Sequence, residues 1–423
     1  MKKESSLAET AQAQKETAGF AGRLRRFGPP CLILLICLGV FLYLLLTANR
    51  NVPFYAGGRE EGEYRTEQGT IRVTVERAEV MNISKDTVEP NPYSPDRRAS
   101  GTQVLLVRLK SGSHAGQTVP LSNPHFVGMY TGEKVSEGDR ISVLQAVNVD
   151  TGEIVELNMK NYDRSGLVWL VLGLFLLVVI AVGGLTGLKS LLGLVFTVIT
   201  LIWIFIPLWI KGARPAPLAF GLCVLVAVTS FVILGGTSRK ILCAILGTVA
   251  GMGLAAAFSA AAQSILRIDS YAMYDAGSDF ADLANFQQRG FGVHLQGLLT
   301  AGIIISSLGA VMDVAMSLAS AVSELKTVNP ALGWKALWKS GMRIGRDMVG
   351  TMTNTLILAF VGSSLVLVIR LWMQGSSYLS LTSSRYLSVE LISALSSSIG
   401  VILAVPLTAL IGAAFFGKAK SRQ

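Results

Sequence analysis

Two hydrophobic patterns alternate along this chain. The first is a series of long apolar runs, near 31–48, 167–186, 191–210, 217–236, 241–264, 295–318, 348–369 and 391–416. Each approaches the ~20 residues that a helix needs to cross a hydrocarbon layer. The second pattern fills residues 49–165, where apolar and polar positions alternate with period two at 71–76, 103–109, 116–120, 140–144 and 153–157. Period two is the signature of short strands with one buried face, and the turn sequences at 136–139 and 150–153 separate them. Together they predict an α-helical polytopic membrane protein of about eight transmembrane helices, with a small β-barrel-like domain of OB-like or SH3-like kind. The expected layout is a tail at 1–30, an N-terminal signal anchor at 31–48, the β-rich domain at 49–165, a seven-helix transmembrane domain at 166–417 and a tail at 418–423. Residues 85–100 hold three prolines and no periodicity, so a mobile loop is expected there.

Composition supports the membrane reading. Only 15% of residues are charged, against about 25% in a soluble domain. The net charge of +10 is unevenly placed. With the N-terminus inside, Arg23, Arg25, Arg26, Lys189, Arg239, Lys240, Lys326, Lys335, Lys339, Arg343, Arg346, Lys418, Lys420 and Arg422 all fall on the cytoplasmic side. The positive-inside rule therefore predicts cytoplasmic termini and an extracytoplasmic β-domain. Such a bias points to anionic lipid headgroups, and no nucleic-acid motif accompanies it. The apolar core from Cys31 to Leu46 is too long for an ordinary cleaved signal, which predicts an uncleaved anchor. All four cysteines lie in apolar runs, so packing is the expected role and no disulfide framework is predicted.

One run carries a carboxylate. Gly302, Ser306, Gly309, Asp313, Ser317, Ser320 and Glu324 recur at spacings of three and four, which makes one small, polar helix face. An aspartate near a bilayer centre costs roughly 2.5 to 3.5 kcal/mol, so it is expected to face protein or water. The next run opens with Asp347, Gly350, Thr351, Asn354 and Thr355 on neighbouring turns, and a facing partner is expected for them too. The candidate path therefore comprises Asp313, Ser306, Ser317, Asp347, Thr351 and Asn354; the sixth and seventh runs are expected to be adjacent antiparallel helices, with Asp313 within hydrogen-bond or one-water reach of Thr351 or Asn354. Between the two runs, Asn329 and Pro330 predict a helix start, followed by Trp334, Trp338, Lys335, Lys339 and Arg343. These predict a short cytoplasmic interfacial helix against anionic headgroups, or a docking surface for a cytosolic partner at 329–346. In the last run Ser393, Ser397, Gly400, Ala404 and Thr408 form a small stripe, as do Gly247 and Gly251 in the fifth, and both predict close helix packing. Pro207 and Pro406 are candidate kinks.

Catalytic and metal signatures are not found in the sequence. No phosphate-binding loop, HExxH or GxSxG is present, and His114, His125 and His294 are isolated. Asp269, Asp275, Asp279 and Asp282 lack the order of a calcium loop and read as a solvated loop. Asp313 and Asp347 resemble a carboxylate dyad only in number, because neither sits in the Tyr-Asp or Gly-x-Gly-Asp setting of an intramembrane protease. The expectation is a non-enzyme without metal or cofactor. Two functions fit: translocation of a small solute or ion along the polar path, or a non-transporting sensor or scaffold that uses the β-domain and the basic helix.

Three stretches carry a resemblance. GAVMDVAMSLASAVSEL, GRDMVGTMTNTLILAFVGSSL and the Tyr162-Asp163-Arg164 entry into the second run are similar to the YibE/F family of multi-pass bacterial membrane proteins. The resemblance spans roughly residues 160–415. It implies a bacterial plasma-membrane location and supplies no reaction, ligand or catalytic residue.

Overall fold

The computed structural model describes residues 29–50, 62–66, 69–90, 99–125, 134–268, 293–373, 375 and 377–417. The chain divides into two units, Phe54–Val178 on one hand and Met1–Pro53 with Val179–Gln423 on the other.

In the first unit the period-two segments become strands. β1 (Gly62–Thr66), β2 (Gly69–Asp86), β3 (Glu89–Pro90), β4 (Ala99–Leu109), β5 (Thr118–His125), β6 (Arg140–Asn148) and β7 (Ile154–Tyr162) form one sheet. β2 pairs with both β4 and β6, β6 with β7, β7 with β5 and β5 with β4, so five strands close into a barrel. Only the β5–β7 contact is parallel, at Ser122 and Asn158. That circular order is the OB-like one of the two expected, with a thinly closed seam. Alternation fixes what faces in: Leu105, Val107, Leu109, Leu121, Ile141 and Val143 are fully or nearly fully buried. The expected mobile loop is partly ordered, because Lys85 and Asp86 extend β2 while Glu89 and Pro90 pair with Ser100 and Ala99. Residues 91–98 lie outside the described residues.

One end of the barrel interior is polar. Gln103, Asn123 and His125 are all buried, and each finds a partner. The Gln103 amide donates to Val135 O at 3.1 Å and Asp86 Oδ2 at 3.2 Å, and its oxygen accepts from Val135 N at 3.0 Å. Burial holds the His125 imidazole below its ordinary pKa. The Val88 amide, and then Lys134 at 3.0 Å, hold Asp86 below the carboxylate range. Where β7 ends, Tyr162 donates its hydroxyl to Lys134 O, and Asp163 accepts from the Ser165 amide at 3.1 Å, at the start of the next helix. The Tyr162-Asp163-Arg164 stretch is thus a strand-to-helix junction.

The apolar runs form helices. These are α1 (Pro29–Asn49), α2 (Ser165–Ile199), α3 (Ile206–Ile210), α4 (Pro215–Gly235), α5 (Arg239–Ile265), α6 (Leu298–Val328), α7 (Trp334–Ser363), α8 (Leu365–Met373), α9 (Tyr378–Thr382) and α10 (Arg385–Gly417). Six described helical runs are long and apolar enough to cross a membrane, or seven if α7 and α8, bent by 56°, make one span. The expected count of eight treats 167–186 and 191–210 as separate spans. In the structure both lie within the helical run from Ser165 to Ile210, which Gly184 breaks into two helices, its φ of 54° being one that only glycine adopts readily. Beyond the break, Gly187 packs on the carbonyl of Val179, an approach impossible in a straight helix.

Pro207 has a specific consequence. Thr200–Phe205 is a π-helical turn, and a proline at 207 cannot donate to the Trp203 carbonyl one turn back. Asn49, at the end of α1, donates to that carbonyl at 2.8 Å. Lys211 in turn donates to Thr47 O at 2.7 Å and to Arg50 O, covering the negative C-terminal end of α1. Phe41 meets Phe196 with ring centroids 4.7 Å apart. The anchor helix is therefore built into the bundle.

At the bundle centre α5 and α10 run antiparallel through small residues. Cys243 meets Gly412, Gly247 meets Thr408, Gly251 meets Ala404 and Ala255 meets Gly400. Each step is four residues on both helices, so one stripe of each stays in contact throughout. A Cβ added at Gly251 would stand 2.8 Å from Ala404 Cβ and 2.8 Å from Val311 Cγ1. Both small-residue stripes expected to pack closely therefore do, and against each other.

Two tests follow. Overpacking a filled site costs about 1–3 kcal/mol, so Gly251→Val should lower the unfolding temperature in detergent. Gly253→Ala, whose nearest foreign atom is the Phe220 ring at 3.9 Å, should be neutral or stabilise by up to ~1 kcal/mol; equal effects would deny the contact its role. In the barrel, His125 and Asp86 both titrate below their unfolded values, so the unfolded chain binds more protons and stability is lost as pH is lowered. Exchange of the Val135 amide, corrected for intrinsic rate, should accelerate as pH drops below about 6.5, the free histidine value, and again below about 3.9.

Candidate functional site

α6 is long and amphipathic in an unusual sense. Ile304, Leu308, Val311, Ala315, Leu318, Ala319 and Val322 are buried. Gly302, Ser306, Gly309, Asp313, Ser317 and Glu324 lie on the exposed face, with Ser320 intermediate. The periodicity forces this split, because positions three and four apart share a side. Among the described residues the Asp313 carboxylate has neither a hydrogen-bond nor an ion-pair partner.

α7 follows antiparallel beside α6. Gly341 packs on Val322 and Ala409, and Gly345 on Leu318 and Val405. Continuing that register places Gly350 at the level of Asp313, and Asn354 at the level of Gly309. Adjacency of the two spans is thus as expected, and the polar positions match in height. Of the expected hydrogen-bond or one-water contact, no direct bond from Asp313 to Thr351 or Asn354 forms among the described residues, because the α6–α7 contact uses the apolar side of α6 and the glycines of α7. Asp347, Gly350, Thr351, Asn354 and Thr355 lie on the exposed face instead. The Thr351 hydroxyl donates back to Met348 O at 3.1 Å, and that of Thr355 to Thr351 O at 3.0 Å.

Of the remaining candidates, Ser306 alone reaches another helix, its hydroxyl lying 3.2 Å from that of buried Ser397 on α10. Sequence reasoning missed a nearby polar group between α5 and α6. Gln263 donates to Ser259 Oγ at 2.8 Å and to Thr300 Oγ1 at 2.9 Å. A glutamine at the end of an apolar run was the available signal. The buried hydroxyls of Thr248, Ser396, Ser398 and Thr408 have no partner among the described residues.

The basic segment differs from its expectation. The chain between α6 and α7 is a turn, in which Asn329 Oδ1 accepts from the Ala331 amide at 3.1 Å. Lys326 donates to Pro330 O at 2.7 Å and Leu332 O at 2.8 Å, so the cation at the end of α6 holds the carbonyls that a helix start would have used. The helix begins at Trp334 and continues unbroken to Ser363. Trp334 and Trp338 stack with centroids 6.2 Å apart and remain 39–40% exposed. Lys335, Lys339 and Arg343 are exposed on the same helix. Asp269, Asp275, Asp279 and Asp282 lie outside the described residues, and no group of metal-ligating side chains occurs among the described ones.

Comparison with known proteins gives a family match. The sequence profile for YibE/F-like proteins covers residues 171–418, which takes in α3 to α10 and nearly all of the polar faces above. No curated protein matches the chain, and no solved structure does. With the matched region exceeding half of the sequence and containing every bundle helix after Gly184, the chain belongs to the YibE/F-like family.

Proposed function

We propose that this protein is a plasma-membrane carrier of a small solute or ion, in which Asp313 is the coupling group. The reading places both termini in the cytoplasm and the barrel outside, on the strength of the Lys and Arg bias. Its support is the Asp313 carboxylate, which lies within a membrane-length helix and has no partner among the described residues. A carboxylate retained there without a counter-charge is a group that can take up and release a proton or cation. Ser306 and Ser317 extend the same face by one turn or more in each direction, and Thr351, Asn354 and Asp347 offer further oxygen atoms at matched heights on α7. Lys335, Lys339 and Arg343 would face anionic headgroups at the cytoplasmic boundary.

The sensor or scaffold reading asks for Asp313 in a dry contact with a helix end, Arg343 or Arg346. No such pair occurs among the described residues, which favours the carrier.

Purified protein in liposomes loaded with a pH-reporting dye tests this directly. Wild type should dissipate an imposed proton gradient, and Asp313→Asn, which keeps size and most hydrogen bonding, should insert to the same level with that flux lost. Equal flux from the two proteins would remove the proton-coupled reading.

A further inference from the structure

α7 is held unevenly along its length. Near the turn that follows α6, Gly341 packs on Ala409 and Gly345 on Val405. Beyond Gly345 the hold loosens: a side chain added at Gly350 or Gly362 would meet no foreign atom within 4 Å, and Leu356 is the last residue of α7 that joins a buried apolar cluster among the described residues. No residue of α8 is buried. At the 56° bend between α7 and α8 the Ser364 hydroxyl donates to Glu390 Oε2 on α10 at 2.9 Å. Between the glycine contacts and this one, steps of four residues set Thr353 at the level of Ser397. The Thr353 hydroxyl oxygen is buried and has no hydrogen-bond partner among the described residues, although Thr351 and Thr355 on the same helix both bond backbone carbonyls. Ser397 is fully buried beside Ser306, and its neighbour Ser396 is fully buried with no partner. Ser306 belongs to the Asp313 face of α6, two turns away, and a side chain added at the intervening Gly309 would also meet no foreign atom within 4 Å.

We infer that the bend between α7 and α8 is the gate of the path to Asp313 on the side where α6 begins, with Ser364 and Glu390 as the latch that holds it shut. In the conformation described, the Thr353 oxygen is closed off from solvent, and leaving a buried hydroxyl unanswered in this way costs about 1–3 kcal/mol. The cost is relieved when the latch opens and the far half of α7 swings from α10 about Gly350, while the contacts of Gly341 and Gly345 stay in place. Water then joins Thr353, Ser397 and Ser306 in one hydrogen-bonded file that passes Gly309 and ends at Asp313. Along this file each oxygen accepts a proton on one side as it releases one on the other. The proton taken from water at the mouth therefore ends on the Asp313 carboxylate, and no hydroxyl of the file changes its charge. This gate rests on the carrier reading and names the proton as its ion.

Proton flux through the full-length protein in liposomes is the test. A short, reducible thiol crosslinker applied to the Ser364→Cys, Glu390→Cys double variant should cut flux about tenfold, and a reductant should restore it in the same sample. Neither single variant should respond. Thr353→Val, which keeps shape and removes the hydroxyl, should also lose about tenfold, as one lost hydrogen bond in the file implies. Thr353→Ser should retain the flux, which separates the hydroxyl from packing. Thr229→Val should match wild type, because the Thr229 hydroxyl already donates to Leu225 O at 2.8 Å on α4. Flux that depends on Asp313 yet ignores the crosslinker, or that is equal in Thr353→Val and wild type, would overturn the gate and leave the carrier standing. Equal loss in Thr353→Val and Thr353→Ser would overturn it too, and wild type without flux would remove carrier and gate together.

Discussion

Close approach of two backbones at the bundle centre is the constraint on which the helical unit depends. Lipid tails are as apolar as leucine, so helices in a membrane gain little from hiding apolar surface and associate instead through packing and interhelical polar contacts. The α5–α10 stripe exploits the first of these. Because Gly247, Gly251 and Gly400 present no side chain, Thr408, Ala404 and Ala255 sit directly against backbone. Val311 of α6 reaches the same point from a third direction. α6 and α7 are then laid on α10 through Leu318, Val322, Val405 and Ala409, so the position of Asp313 is inherited from contacts between small residues elsewhere.

Besides the buried, unpartnered hydroxyls such as those of Thr248 and Thr408, two kinds of polar group stand out in the bundle. Those that bind backbone or each other complete the fold: Asn49 on the carbonyl orphaned by Pro207, Lys211 on the end of α1, Gln263 between α5 and α6. The second kind is left turned outward, and here Asp313, Asp347 and Asn354 stand apart because nothing within the described chain answers them. A structural role within one chain requires partners, and these residues have none. The carrier proposal grows from that contrast along α6.

The barrel obeys a different solvent. Its interior can hold Gln103, Asn123 and His125 because every strand is closed on a neighbour and the buried amide of Gln103 ties down Val135. A buried imidazole held neutral and carboxylates held ionised are then consequences of closure rather than marks of chemistry.

Much of this protein was legible in its sequence, and the reason is periodicity. Apolar runs of bilayer length, period-two strands and the three-and-four spacing of the Asp313 stripe each follow from the geometry of one element and need no knowledge of its neighbours. So the strands of the barrel, most of the spans and the faces of α6 and α7 were readable in advance. What the sequence could not decide was which faces meet. The helical wheel put Asp313 opposite its apolar neighbours correctly, yet gave no means of telling that Gly341 and Gly345, rather than Thr351 and Asn354, would turn toward α6. Gly184 likewise looked like one glycine among many until its backbone angle placed the break between the two helices of the Ser165–Ile210 run. Pairing of elements depends on side-chain volume at contacts between residues far apart in the chain, and only the tertiary structure brings those residues together.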